Sequence, residues 1–496
     1  MGGGQQVKTL TELGLTARGG REARITGLSV DSRDVKDGHL FAALPGTRVH
    51  GGEFIQYALR MGAAAVLTDA AGARIAAQEL AASDAALIVS EDPRQVLAYT
   101  AALWFGLQPE TMVAVTGTNG KTSVATFTRM IWTELGEEAV NLGTTGVEGV
   151  WSAPLAHTTP EPITLHRTLA AAAREGVSHA AMEASSHGLA QRRLDGVHLA
   201  AAGFTNLSQD HLDYHASFDE YFEAKAGLFD RVLPETGVAV INIDDPRGPD
   251  MAAIAAGRGQ RVIAVGRTES TDLQLMAQRF DTTGQEVFFS WDKKRFRTYL
   301  PLIGGFQAEN VLLAAGLVIA CGAEPERVFE TLEYLTGVRG RMQLVARRAN
   351  GAAIFVDYAH TPEAVATALR ALRPHVAGRI VVIVGAGGDR DRGKRPLMGR
   401  AAADHADVVI VTDDNPRGED PALIRAAVME GCPDAYEVGD RAEAILRGVD
   451  QLEPGDVLLI AGKGHESGQI IGEDVLPFDD AEQASVAVAA LEGRSA

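Results

Sequence analysis

Cysteine is almost missing from this sequence. Cys321 and Cys432 are the only two in 496 residues; they lie far apart and outside any metal-ligand spacing. That excludes a disulfide framework and a cysteine zinc site, and fits a reducing compartment. Long, clean apolar runs are absent too, which argues against a bilayer-spanning helix. The stretch Met1 to Lys8 lacks the apolar core of a secretory signal. Positive charge is scarce: 46 Lys and Arg against 65 Asp and Glu leave a net charge of −19. Such a balance argues against general nucleic-acid or anionic-membrane binding, but not against anionic ligands held by local Arg, Lys and helix ends. No domain-length repeat or low-complexity tract occurs. The expectation is a cytoplasmic protein without membrane insertion, long enough for about three domains.

One stretch organises the rest. Met112-Val113-Ala114-Val115 is a short apolar run, followed by Thr116-Gly117-Thr118-Asn119-Gly120-Lys121-Thr122-Ser123 and then a helical pattern from Val124. A strand, a glycine-rich loop and Lys-Thr opening a helix form the arrangement that holds a triphosphate. Glycine lets the backbone approach phosphate oxygens. Lys121 is placed to meet the β/γ-phosphates, and the Thr122 hydroxyl to ligate Mg²⁺. The loop is shorter than the eight-residue phosphate-loop pattern. A bare glycine-rich turn is the bland alternative.

Residues 1–91 read as a small α/β unit, with strands near Ile25–Val30, Leu40–Leu44 and Ala63–Leu67. Its polar loops Asp31-Ser32-Arg33 and Pro45 to Gly52 could receive a phosphate through backbone N–H groups and Arg48, or could be surface turns. Residues 92–338 carry the phosphate loop. There, His157-Thr158-Thr159-Pro160 could be a polar contact loop or a helix cap with Pro in the first turn. Glu183 follows a short buried-looking segment; a carboxylate there could ligate Mg²⁺ or be solvated. Gln191 and Arg193 could touch a polar substrate. The run Thr205 to His215 contains Asp210, His211, Asp213 and His215 without zinc-motif spacing, so a polar surface loop is its alternative reading. Lys225 falls on an amphipathic helix, where a solvated lysine is the ordinary case.

Residues 339–496 open after a hinge-like Gly337 to Gln343. Apolar strands at Ile380–Val384, Asp407–Thr412 and Val457–Ala461 alternate with helices, predicting a doubly wound α/β domain. Each of these strands is followed by a charged loop: Gly385 to Asp391, Asp413 to Arg417, and Gly462-Lys463-Gly464-His465-Glu466. In a parallel sheet those loops share one edge, where ligands bind. Arg390 and Arg417 offer guanidinium groups to carboxylates; Asp414 and Glu466 offer carboxylates to ammonium groups. The alternative is a capped turn with a solvated Arg417.

The phosphate-loop set, Glu183-Ala184-Ser185-Ser186-His187, Asp210 to His215 and Lys225 together resemble the Mur ligase family, which joins amino acids to the peptidoglycan precursor. The resemblance covers almost the whole chain. Its motif order is similar to the branch acting on UDP-N-acetylmuramoyl-L-alanyl-D-glutamate. It implies an α/β fold of three domains: a small N-terminal UDP-binding domain, a central phosphate-loop mononucleotide-binding domain and a C-terminal Rossmann-like, doubly wound domain. It implies that Lys225 is carbamylated and, with His211, near a second Mg²⁺, beside a first at Thr122 and Glu183. By matching positions, Gly117, Thr118, Asn119, Gly120, Lys121, Thr122, Ser123 and Asn310 hold ATP. Val30, Ser32, Thr47, Arg48, Val49, His157, Thr158, Thr159, Ser185, Gln191 and Arg193 hold the UDP-muramoyl dipeptide. A relative often has Asn where His157 stands, and Asn where Gln307 stands. Arg390, Asp414, Asn415, Pro416, Arg417, Gly462 and Glu466 form the amino-acid site. Asp414-Asn415-Pro416-Arg417 matches members that add meso-diaminopimelate, whose distal carboxylate Arg417 can clamp.

The implied reaction is ATP-dependent amide formation through an acyl phosphate, with small-molecule substrates, a monomeric enzyme and closure of the last domain. Lys121, Lys225 and His211 are its catalytic candidates. The alternatives are a ligase of the same superfamily adding L-lysine or extending folate-like polyglutamates, and a nucleotide-binding scaffold without activity.

Overall fold

The computed structural model describes residues 6–46, 48–208, 214–215 and 217–493. The chain divides into two compact units, Met1–Val265 with Leu313–Ala323, and Gly266–Leu312 with Glu324–Ala496.

The first unit contains two parallel arrangements. In the smaller, the strands Gly27–Ser29, His39–Ala43, Ala65–Thr68 and Ala86–Val89 pair in sequence order, all parallel. Every residue of Ala65–Thr68 is buried, as a covered parallel strand requires. In the larger, the phosphate-loop strand Thr111–Thr116 lies between Ala201–Phe204 and His179–Glu183. Ala139–Gly143 flanks His179–Glu183 on its other side, again parallel. The carboxyl ends of these strands therefore deliver the phosphate loop, Glu183 and Gly143 to one edge, the edge where open α/β sheets bind ligands. Below it lies a core of Met112, Ala114, Leu142, Leu165, Leu169, Met182 and their neighbours.

The second unit holds three antiparallel strands, Leu273–Phe280, Gln285–Trp291 and Lys294–Leu300, paired in sequence order. None of these was anticipated. Asp292 and Lys293, both at positive φ, turn the second hairpin; they are an Asp-Lys pair instead of the Asp-Gly or Asn-Gly that flags such turns. The unit also holds the expected doubly wound sheet, ordered Gln343–Arg347, Ala353–Asp357, Val457–Ala461, Ile380–Val384, Val408–Val411, Tyr436–Glu437. All pairings are parallel except the first. Val457–Ala461 comes late in the chain yet inserts between two earlier strands, which creates the point where chain order reverses. Separate buried clusters cover the two faces, one around Leu369, Val382 and Met398, the other around Ile383, Ile445 and Ala484. Among the described residues no helix is long and apolar enough to cross a membrane.

Candidate active site

The phosphate loop takes the shape its glycines permit. Gly117 has φ 149° and Gly120 φ 85°, both in the left-handed region. A Cβ at Gly117 would fall 1.8 Å from the Thr205 hydroxyl, so the loop is pressed against a second segment. That segment holds it. The Thr118 N–H donates to the Asn206 carbonyl at 2.8 Å, the Asn119 N–H to Asn206 Oδ1 at 3.0 Å and Thr205 Oγ1 to the Asn119 carbonyl at 2.6 Å. Two loop amides expected to face phosphate are thus engaged by Asn206. The helix Lys121–Glu134 that follows carries no side-chain cap, so its first turn keeps N–H groups for an anion. Lys121 Nζ folds back onto the carbonyls of Gly117 and Thr118, at 2.9 and 2.7 Å.

Beside the loop, Thr122 Oγ1 donates to Glu183 Oε2 at 3.0 Å. Glu183 is 2% exposed. Its other oxygen accepts from the Thr144 N–H at 2.7 Å, and Thr144 Oγ1 lies 3.2 Å from Oε2. Hydroxyls and one amide surround a buried carboxylate, and among the described residues no cation pairs with it. A divalent ion fits that donor set: two oxygen ligands, one anionic, at the head of a phosphate-binding helix. Glu183 is therefore not the solvated loop residue of the alternative reading. Lys225 is not solvated either. It is buried, donates to the Gly117 carbonyl at 2.7 Å and sits 4.4 Å from the Tyr221 ring centre. The helix Phe218–Gly227 turns it inward. His211 and the other acids of its cluster, Asp210 and Asp213, lie outside the described residues.

A hydroxyl ladder runs from Glu183 toward the substrate candidates. Thr158 Oγ1 is 3.1 Å from Thr144 Oγ1. Thr159 Oγ1 bonds the Glu183 carbonyl at 2.9 Å and accepts from the Ser185 N–H at 3.0 Å. Ser185 Oγ then caps the Ser186–Ala190 helix through Gly188 N–H. Gln191 Oε1 accepts from Arg193 at 2.8 Å, and Arg193 also donates to the Thr159 carbonyl. Burial, then the neighbouring Arg94, hold the Arg193 guanidinium below its ordinary pKa.

Val30, Gln191 and Arg193 line one cavity of about 190 Å³ with Leu44, Arg94, Leu97, Glu161 and Pro162. Glu161 is spent capping the Pro162–Arg174 helix, accepting from the Ile163 and Thr164 N–H groups at 2.7 Å each. Two guanidinium groups thus line the cavity while the carboxylate among its lining residues is committed to a helix cap, which suits an anionic ligand. The sequence reading missed Arg94, which donates to the Pro45 carbonyl at the start of the Pro45 to Gly52 loop. Ser32, Arg48, Val49 and His157 are not among the residues lining this cavity; Arg48, Val49 and His157 are exposed. Thr47 lies outside the described residues.

In the second unit, Asn310 Nδ2 bonds Gln307 Oε1 at 3.2 Å, the two being neighbours one turn apart (i, i+3) on the helix Phe306–Ala320. The three charged loops do meet at the strand ends. The Gly388 N–H bonds the Asn415 carbonyl at 2.9 Å. A Cβ at Gly388 would fall 1.8 Å from the Pro416 carbonyl, and one at Gly462, with φ 118°, 2.8 Å from Asp414 Oδ2. Arg417 sits at φ 52°, a costly backbone for a non-glycine residue. A hairpin holds it there: the Arg417 N–H donates to the Ile470 carbonyl at 3.0 Å, and the Gly472 N–H to the Arg417 carbonyl at 2.8 Å. Its Nη1 lies 3.0 Å from the Gly388 carbonyl. Arg417 is half-buried, so it is not the solvated arginine of the alternative; Arg390 is exposed. Arg395 and Glu419, bonded at 2.8 Å, tie two of the loops together, and side-chain hydrogen bonds from Arg395 chiefly hold the Glu419 carboxyl down to about 2. Asp414 departs from expectation: its carboxylate is buried and lies 3.6 Å from Lys463 Nζ. Lys463 was missed as a site residue, although a lysine between two glycines after an apolar strand was visible.

The chain thus carries a glycine-rich strand-to-helix loop with a buried carboxylate at its threonine, and a doubly wound sheet whose strand-end loops bear both charge signs. Three family models match the chain: Mur ligase family, catalytic domain, at residues 24–104; Mur ligase middle domain at 115–318; and Mur ligase, glutamate ligase domain, at 340–464. The chain belongs to the Mur ligase family and has its three-domain architecture. It is similar to proteins named UDP-N-acetylmuramoyl-L-alanyl-D-glutamate–2,6-diaminopimelate ligase. That of Bradyrhizobium diazoefficiens is 49% identical, covering 94% of this chain and 95% of the relative. That of Agrobacterium fabrum is 47% identical over 99% and 98%. A solved structure of a ligase of the same name matches with TM-score 0.70 and 34% identity, over 94% of this chain and 95% of that one. Folylpolyglutamate synthase of Mycobacterium tuberculosis complexed with ADP shares the fold alone, at 19% identity, TM-score 0.62 and coverage of 82% and 95%.

Proposed function

We propose that this chain is an ATP-dependent ligase that adds meso-2,6-diaminopimelate to UDP-N-acetylmuramoyl-L-alanyl-D-glutamate, for the peptidoglycan precursor. The observation that carries the reading is the Thr122–Glu183 contact at the head of the phosphate-loop helix, in a chain whose relatives of that name match it nearly end to end. The proposed domain bounds are 1–91 for the UDP end of the substrate, 92–338 for ATP and 339–496 for the amino acid. Family-model matches at 24–104, 115–318 and 340–464 support three segments in this order, the first reaching past residue 91.

A carboxylate is a poor acyl donor because its leaving group would be oxide. Transfer of the γ-phosphoryl group from ATP to the glutamyl carboxylate makes an acyl phosphate. The amine of diaminopimelate adds to its carbonyl carbon, the amine proton is lost, and the tetrahedral adduct expels phosphate to leave the amide. Lys121 is three to four residues from the carbonyls it now bonds, and an arriving phosphate would offer it a stronger, ionic acceptor. The uncapped first turn of the Lys121–Glu134 helix supplies fixed N–H dipoles where charge develops. Thr122 and Glu183 would hold Mg²⁺, which supplies charge neutralisation for the phosphates. Lys225, as a carbamate, and His211 would hold a second ion, as the family resemblance implies. The buried, Gly117-bonded position of Lys225 supports a role at the phosphate loop. Arg94 and Arg193 would meet an anionic part of the UDP-muramoyl substrate, and Arg417 the distal carboxylate of diaminopimelate. A cytoplasmic location and a monomeric state are proposed with this reading.

The test is phosphate release with all three substrates, in wild type and Lys121→Met. The reading predicts release that needs every substrate and drops to background in the variant. Release unaffected by the variant would contradict it.

A further inference from the structure

Lys463 is fully buried immediately after the Val457–Ala461 strand, yet it carries a charge into the centre of the amino-acid loops. Its Nζ donates to Asn415 Oδ1 at 2.8 Å and to the Gly468 carbonyl at 2.7 Å. Asp414 Oδ1 and Glu466 Oε2 each lie 3.6 Å from it. Asn415 Oδ1 receives a second N–H, from Ile470, at 3.0 Å. With its oxygen doubly occupied, the Asn415 amide has only Nδ2 to offer in the remaining direction, and Nδ2 bonds Glu466 Oε2 at 2.9 Å. The flipped amide would set its NH₂ against the Lys463 ammonium and the Ile470 N–H, and its oxygen against the Glu466 carboxylate. Donor would face donor and acceptor would face acceptor, so one orientation survives.

The relay also sets charge. Asp414 and Glu466 contribute two negative charges and Lys463 one positive. The Asp414 side chain is 9% exposed and that of Glu466 34%. The unneutralised unit therefore faces outward on Glu466, which suits one ammonium group. The next cation below, Arg441, is already used: it forms two 2.7 Å bonds with Asp480, both side chains wholly buried.

We propose that Lys463 is a positioning residue for amino-acid recognition: through the Asn415 amide it fixes the Glu466 carboxylate and trims the site to a single outward negative charge. This rests on the reading of these loops as the amino-acid site, and it assigns Lys463 no contact with the reacting atoms. The ammonium is the donor at the root of a chain whose exposed end receives the substrate's ammonium group.

The experiment compares Lys463→Met with Asn415→Leu, which cuts the same relay without removing a charge and so carries the test should the lysine variant not fold. Steady-state phosphate release is measured while ATP, UDP-muramoyl dipeptide and diaminopimelate are varied in turn, and a crystal structure of each variant locates Glu466. The expected KM for diaminopimelate rises about tenfold or more, as the loss of one charge-assisted hydrogen bond implies. The other two KM values stay within about twofold and kcat within about threefold. Lys463→Arg, which keeps a buried donor cation, recovers part of the loss. In the crystal structures the Glu466 carboxylate leaves the Asn415 amide. A diaminopimelate KM unchanged in the variants, or a parallel loss in all parameters, overturns the proposal, as does Glu466 staying in place. Should wild type release no phosphate with diaminopimelate, the functional reading fails by itself, and the position of Glu466 still decides the relay.

Discussion

A single methyl group at Gly143 should disable the enzyme without unfolding it. Gly143 ends the Ala139–Gly143 strand, where an added Cβ would stand 2.0 Å from Glu183 Oε1 and 2.6 Å from both Cγ and Cδ. Its φ is outside the left-handed region, so alanine meets no backbone penalty. The whole effect falls on the carboxylate. Ordinary contact requires Oε1 to retreat by about 1.4 Å, yet the Thr144 N–H holds Oε1 at 2.7 Å and the Thr122 hydroxyl holds Oε2 of the same carboxylate at 3.0 Å. Hydrogen bonds to a charged acceptor are worth roughly 1.5–3 kcal/mol each. Losing the equivalent of one to two of them from the transition state lowers kcat by about a hundredfold. The assay is phosphate release under saturating substrates across a Mg²⁺ titration, with far-UV circular dichroism as the fold check. Gly257→Ala is the control, because its Cβ would meet nothing within 4 Å. A Gly143→Ala enzyme with kcat within about threefold of wild type and an unchanged Mg²⁺ requirement would refute the placement of Glu183 as a metal and loop anchor.

Other outcomes are expected from the same structure. Arg417→Ala should lose selectivity for diaminopimelate over L-lysine by about ten- to a hundredfold in kcat/KM, the value of a charge-paired guanidinium; selectivity retained would remove Arg417 from recognition. His166 should make the fold acid-sensitive. It is fully buried, both its ring nitrogens lack partners among the described residues, and burial, then His198, pushes its pKa down to about 4. The unfolded chain takes up a proton near pH 6.5 and the folded chain only near 4, so stability present above 6.5 is lost as pH falls through that window. The loss is about 3 kcal/mol by pH 4. Urea midpoints of His166→Phe should fall less steeply than wild type over that range; parallel slopes would contradict the assignment. Lys225→Ala should lose activity and regain part of it with added short-chain carboxylates if a carbamate acts there, whereas no rescue at any carboxylate concentration would count against the modification.

The parts legible in the sequence are those whose physics is local. Ile380–Val384 reads as a covered strand because five consecutive apolar residues allow little else, and all five are buried. The phosphate loop reads because Gly117, Gly120 and Lys121-Thr122 must occur in that order for a backbone to wrap an anion. What escaped depends on pairing across distance. Asn206 grips Asn119 from 87 residues away. Arg94 reaches Pro45 across 49 residues. Lys463 finds Asn415 across 48. No spacing rule announces such contacts, since each partner is an ordinary polar residue until the sheet brings strand ends together. The Gln285–Trp291 strand escaped for the opposite reason. Its signal is local, but Asp292-Lys293 disguises the turn. At Lys225 the helical pattern by itself reads outward, and only the family resemblance points the lysine to the phosphate loop, where it is buried against the Gly117 carbonyl.

The most direct test of the central claim is ADP and phosphate release by the purified chain with ATP, Mg²⁺ and UDP-N-acetylmuramoyl-L-alanyl-D-glutamate, comparing meso-2,6-diaminopimelate with L-lysine at equal concentration, and with the peptide product identified by mass. The account predicts rapid release with diaminopimelate, a product heavier by one diaminopimelate residue, and release at least about tenfold slower with L-lysine. Equal or faster turnover with L-lysine, or no amino-acid-dependent release at all, would contradict it.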